Sequence, residues 1–128
     1  MPSRSDDKTR YRVGASEDVP DGGRLVVDVG DTTVGVFRVD GRLVAYENAC
    51  PHQGGPVCQG TMLPAVKEVI NDQLIATGFA FDEHDPRIVC PWHGYEFSIK
   101  TGRHPAAPLV RLRAVSVEEE AEVIYVAI

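Results

Sequence analysis

No stretch of the 128-residue chain approaches the roughly 18 to 20 consecutive apolar residues that span a bilayer, because charges or glycines break every apolar patch. No membrane crossing is expected. Positive charge is not in excess either: 13 basic against 19 acidic side chains leave a net charge of -6, a balance that repels phosphate backbones and anionic lipid. Nucleic acid and membrane surfaces are not the expected partners. The first ten residues lack the apolar core of a secretion signal and read as a disordered leader, which points to the cytoplasm. Cysteine is scarce, and three residues without an export signal suit metal binding or chemistry in a reducing compartment better than a disulfide framework. Also missing are a nucleophile with its base, a phosphate-cradling glycine loop and a substrate-orienting carboxylate pair. The chain is not expected to be an enzyme or to take a small-molecule substrate.

What is present is ordinary globular composition, 43% apolar and 25% charged, in a length that suits one folded unit over residues 11–128. Residues 11–48 carry short β-rich runs. Arg24–Val29, Thr32–Val39 and Arg42–Glu47 are rich in Val, Leu, Phe and Tyr, and Asp21-Gly22-Gly23, Gly30-Asp31 and Asp40-Gly41 supply turn residues between them. That is an antiparallel meander. Residues 96–100, 109–117 and 123–128 repeat the style, broken by Thr101-Gly102 and by the acidic run 118–122, which reads as a wet turn. The fold class expected is all-β.

Residues 59–87 break this rhythm. Pro64 suits a first helical turn, and Ala65, Val66, Val69 and Ile70 recur at helical spacing. The preferred reading pairs residues 65–70 with 74–81 as a hairpin, because Ile75, Thr77, Phe79 and Phe81 favour strands.

The chemistry lies in two mixed couples, Cys50-Pro51-His52 and Cys90-Pro91-Trp92-His93. Each can turn two ligands toward one point, and the neighbouring Gly54, Gly55 and Gly94 permit close backbone approach. A structural zinc site is one reading of two Cys and two His, and it would make the protein a binding module. Zinc fingers, however, usually couple Cys with Cys and His with His. Mixed couples suit a 2Fe-2S centre in which one iron takes two thiolates and the other two imidazoles.

Cys50-Pro51-His52-Gln53-Gly54-Gly55-Pro56 and Cys90-Pro91-Trp92-His93-Gly94-Tyr95-Glu96-Phe97 resemble the two cluster loops of the Rieske family, as in soluble bacterial Rieske ferredoxins and oxygenase Rieske domains. The likeness implies stacked antiparallel sheets with a small cluster-binding subdomain and one Rieske-type 2Fe-2S cluster. It implies Cys50 and Cys90 on the inner iron and His52 and His93 on the outer one. Residues 101–109 resemble the family's proline-containing third loop, which packs over the cluster. The function implied is one-electron transfer, in which a reductase, expected to be a flavoprotein, supplies an electron that passes to an oxygenase or related enzyme. The alternative is a fixed electron-input subunit, like the small subunit of assimilatory nitrite reductase.

Departures from the family are informative. Membrane-anchored relatives carry an extra, disulfide-bonded cysteine in each cluster loop, where this chain has Gly55 and Trp92. They also place a serine and a tyrosine where Tyr95 and Phe97 stand, and losing hydroxyl donors to sulfur implies a potential at the low end of the roughly -150 to +300 mV Rieske range. His52 and Cys90 are separated by 37 residues, about twice the usual soluble spacing, so residues 61–87 read as an inserted segment. It reads either as a surface hairpin or as a feature shaping which partner docks. Gly54, Pro56, Trp92 and Pro105 would form an apolar docking rim. Cys58 reads as a buried hydrophobe, His84 as a solvated turn residue, and Trp92 as a brace for the second loop. His104 reads equally as a surface histidine or as a modulator beside the third loop.

Overall fold

A computed structural model describes residues 9–51, 54–70, 76–92, 94–107 and 109–128. Among them every extended element is a strand: β1 Arg10–Ala15, β2 Arg24–Val29, β3 Thr32–Val39, β4 Arg42–Glu47, β5 Thr61–Ile70, β6 Ala76–Val89, β7 Glu96–Ser98, β8 Ala114–Glu120 and β9 Val123–Ala127. Single 3-10 turns occupy Ser16–Asp18 and Val57–Gln59. All strand pairings are antiparallel, in a six-stranded sheet of order β1-β9-β8-β4-β3-β2 and a three-stranded sheet of order β5-β6-β7. The larger sheet curls. Its two edge strands meet, and a methyl group on Gly14 of β1 would come within 2.9 Å of Leu25 on β2.

Strand β3 is the centre of the molecule because the period-2 alternation of side chains buries both of its faces. Val34 and Val36 join Val19, Val29, Ala45, Val115, Ile124 and Val126 in one core. Phe37 and Val39 point the other way, into a second core with Tyr46, Cys50, Cys58, Ile88, Cys90, Phe97 and Leu112. This second core lies between the two sheets, and both outlying cysteines of the Cys/His couples are built into it. The candidate site therefore rests on packed side chains.

The described part of the expected hairpin, residues 65–70 against 76–81, pairs as strands and not as a helix. β5 pairs with β6 from Thr61↔Val89 to Ile70↔Ala76, with a register shift between Pro64↔Pro86 and Ala65↔Asp82 that leaves Glu83, His84 and Asp85 as a bulge on β6. Residues 71–75, including Leu74 and Ile75 of the expected pairing, lie outside the described residues.

Besides β7 and β9, which end at Ser98 and Ala127 and not at Lys100 and Ile128, three expected boundaries need correction. Arg10 is already a strand residue: it pairs with Ala127, while its guanidinium meets Glu118 and Glu120 at 2.7 and 3.1 Å. Residues 109–113 are loop and β8 starts at Ala114, because the Leu112 amide donates to Gly102 and Leu109 is 96% exposed. Glu118, Glu119 and Glu120 belong to β8 and not to a turn, with Glu119 held 2.7 Å from Arg38. The turn itself is Ala121-Glu122, both at positive φ (51° and 63°).

Candidate metal centre

The two Cys/His loops share one backbone frame. In the first, the Cys50 amide donates to the Gly55 carbonyl (2.8 Å) and the Gly54 amide donates back to the Cys50 carbonyl (2.7 Å). In the second, the Cys90 amide donates to Tyr95 (2.8 Å) and the Gly94 amide to Cys90 (3.1 Å). Gly54 and Gly94 close these turns at φ of 76° and 70°, a region that L side chains enter only at a cost. One frame thus accommodates two spacings, Cys-x-His and Cys-x-x-His.

Long-range contacts set the loops side by side. Gly60, which ends the first loop region, lies against the carbonyl of Val89, the residue before Cys90. A methyl group on Gly55 would come within 2.8 Å of Trp92 and 3.0 Å of the Cys90 sulfur. A glycine under a half-exposed indole thus occupies the junction of the two loops. Asn48 closes the base of the first loop: its amide donates to Thr33 (2.8 Å), its side-chain oxygen accepts from the Cys58 amide (2.9 Å), and its Nδ2 reaches Gln59 (3.0 Å). From β2, Arg24 Nη1 donates to the carbonyls of both Cys58 (3.0 Å) and Gly60 (2.6 Å). The sequence reading passed over Asn48, Gly60 and Arg24, since each acts through a contact distant along the chain.

Cys50 and Cys90 are buried and their thiols lie within hydrogen-bonding reach of each other. Burial pushes the Cys90 thiol above its ordinary value, the Trp92 amide donating to its sulfur opposes this, and the neighbouring Cys50 adds to the rise. Two adjacent thiols of this kind suit a thiophilic metal that binds them as thiolates. His52 and His93 lie outside the described residues, and among the described residues no group of three or more His, Cys, Asp or Glu is assembled.

Cys58 belongs to the scaffold. Its side chain is fully buried, its Sγ faces the carbonyls of Tyr46 and Glu47 at 3.7 and 3.8 Å, and burial pushes its pKa up to about 12. A methyl group on Gly35 would stand 2.5 Å from its sulfur. Burial likewise raises Tyr46 to about 12, with its hydroxyl donating to Ile99 at 2.7 Å. Under the second loop, Arg87 holds Asp85 (2.8 Å) and Glu96 (3.1 Å), which braces the strand leading to Cys90. Pro105, Ala106, Ala107 and Leu109 are exposed in the third loop, and Pro56 is half-buried. His84 makes an ion-pair contact with Asp40 at 3.1 Å.

Comparison with known proteins places these loops in context. The family model described as Rieske [2Fe-2S] domain matches residues 9–116. The ferredoxin component of an alkene monooxygenase system from Xanthobacter autotrophicus is 27% identical over 101 residues, covering 79% of this chain and 66% of the relative. The chain spans about two thirds or less of the curated relatives it matches. The ferredoxin of carbazole 1,9a-dioxygenase from Nocardioides aromaticivorans superposes with a TM-score of 0.62 at 25% identity, over 92% of this chain and 96% of that one. A nitrite reductase small subunit from Mycobacterium tuberculosis shares the fold, with a TM-score of 0.67 at 18% identity over 96% and 97% of the two chains.

Proposed function

Because the chain belongs to the Rieske [2Fe-2S] domain family, we propose that it is a one-electron carrier serving an oxygenase system. The observation that supports this most directly is the pair of buried, adjacent thiols, Cys50 and Cys90, carried by two loops of identical backbone frame. When bound, a Rieske-type 2Fe-2S cluster supplies reversible one-electron redox chemistry. Cys50 and Cys90 would hold one iron as thiolates, and His52 and His93 the other through neutral imidazole nitrogens. The residues around them do the rest: Gly55 lies against Trp92 and the Cys90 sulfur, and the Trp92 amide donates to that sulfur. Phe97 is fully buried and brings no hydroxyl donor, which favours a potential toward the low end of the family range.

The fit of partner follows from the ferredoxin relatives, which are components of oxygenase systems. A flavoprotein reductase would supply the electron, and a cytoplasmic location suits both exchanges. No helix among the described residues is long and apolar enough to cross a membrane. The purified protein should be brown, with visible bands bleached by dithionite and restored by air. Cys90→Ser and His93→Cys should alter that spectrum, and Cys58→Ser should leave it intact. A colourless protein holding one zinc ion and no labile sulfide would overturn the reading. Reduction by an added flavoprotein reductase as a free monomer supports a diffusing carrier, whereas constant co-purification with a larger oxidoreductase would replace it with the fixed-subunit role.

A further inference from the structure

The described residues from Thr101 to Leu112 lead from β7 toward β8 and form the third loop, beside the second Cys/His loop. Its base is tied: the Arg103 carbonyl accepts from Ser98 (2.9 Å), the His104 amide donates to Val110 (2.9 Å), and the Leu112 amide donates to Gly102 (2.7 Å). At its tip the Ala107 carbonyl accepts from the Val110 amide (2.8 Å). Pro105 has no amide hydrogen, and Ala106, Ala107 and Leu109 are exposed.

One side chain organises this tip. Nδ1 of His104 accepts hydrogen bonds from two successive amides, Ala106 at 3.1 Å and Ala107 at 3.2 Å. A ring nitrogen that accepts carries no proton, so the ring hydrogen sits on Nε2. The same ring stands edge-on to Tyr95 (5.5 Å, 65°) and to Phe97 (6.1 Å, 85°). Tyr95 is the residue whose carbonyl accepts the Cys90 amide, and Phe97 is fully buried in the core that holds Cys50 and Cys90. Tip and second loop therefore meet through one imidazole.

We propose that His104 is a positioning residue of the electron-transfer site: its lone pair folds the third-loop tip and its ring pins that tip to the Cys90 loop. Two separable properties are required. Asparagine keeps an acceptor one bond beyond Cγ, as in an Asx turn, and phenylalanine keeps the ring without the acceptor. The inference rests on the electron-carrier reading for its effect on potential, while the clamp itself is read from amide exchange.

The test compares wild type, His104→Phe and His104→Asn as purified iron-loaded proteins. Amide exchange resolved to single residues by mass spectrometry should quicken about tenfold at Ala106 and Ala107 in His104→Phe, and stay within about twofold of wild type in His104→Asn. A loosened tip admits water, which favours the more negative reduced state, so the reduction potential of His104→Phe should rise with its visible spectrum retained. Wild-type exchange in His104→Phe, equal quickening in both variants, or an unmoved potential would each overturn the proposal. A colourless wild type whose exchange still depends on residue 104 would sink the electron-carrier reading yet uphold the clamp.

Discussion

Gly60 and Val89 touch backbone to backbone: a side chain on Gly60 would overlap the Val89 carbonyl. Gly60 closes the first Cys/His loop region and Val89 enters the second. Thirty or so residues of inserted hairpin separate them along the chain, yet the pairing Thr61↔Val89 sets them together at its root. The hairpin can therefore be long without moving the loops apart.

Gly60→Ala should destabilise the fold by about 3 kcal/mol, at the upper end of ordinary overpacking, since the obstacle is backbone and cannot rotate away. Its φ of -75° is open to any residue, so the cost is steric and not conformational. Gly41→Ala makes the converse case: nothing lies within 4 Å, but φ is 81°, and the expected cost is about 1 kcal/mol. Denaturant midpoints at unchanged slope would separate the two.

Arg24→Met should cost about 2 kcal/mol, because a charged donor serving two carbonyls is lost and Cys58 and Gly60 keep unpaired acceptors. Arg24→Lys offers a point charge in place of a fork and should recover only part of that. Urea unfolding of the three proteins checks the order; equal midpoints would mean that water replaces the guanidinium at no cost.

How much of this was legible beforehand depended on where the determining contact lay. Strands β2, β3 and β4 came out with their expected bounds because Gly30-Asp31 and Asp40-Gly41 mark the turns between them locally. The hairpin of residues 65–70 against 74–81 was favoured by its β-branched and aromatic residues, and its described part is observed inside a longer pairing that begins at Thr61↔Val89. Residues 110–113 alternate apolar and charged side chains like a strand, but the ties from His104 and Leu112 hold them in the third loop. The Cys/His spacing pointed to the paired thiols. Nothing local marked Asn48, Gly60 or Arg24, whose partners lie in other elements, and the same is true of the His104 clamp, although the histidine itself had drawn notice.

The Ala121-Glu122 turn is a place where local chemistry and fold disagree. Both residues sit at positive φ in a two-residue hairpin connection, a conformation that Asn-Gly adopts without strain. Its backbone is still used, since the Glu122 carbonyl accepts from the Ser16 amide at 2.9 Å. Ala121→Asn with Glu122→Gly keeps that bond and should raise stability by about 1 kcal/mol, seen as a higher melting temperature. An unchanged or lower value would mean that the native turn carries no strain.

The inserted hairpin is tied to the larger sheet through a pH-sensitive contact. His84 Nδ1, on the β6 bulge, lies 3.1 Å from Asp40 in the β3–β4 turn, and Lys100 reaches the other Asp40 oxygen at 3.1 Å. The hydrogen bond to Asp40 raises the pKa of His84, with Asp82 adding to the rise and Lys100 opposing it. The same hydrogen bond, followed by that from Lys100, lowers Asp40. A raised histidine stabilises fully below its unfolded value of 6.5 and loses that contribution as pH climbs through its folded value. A depressed carboxylate stabilises above its unfolded value of 3.8 and loses this as pH falls through its folded one. The tie is therefore strongest between these limits and fades on both sides. The melting-temperature gap between wild type and His84→Ala should be widest near pH 5.5, narrow at pH 8.5, and narrow again near pH 3. Both groups are solvent-exposed, so 0.5 M salt should shrink the gap at pH 5.5. A gap that ignores pH and salt alike would show that Lys100 alone holds Asp40 and that His84 contributes only its bulk.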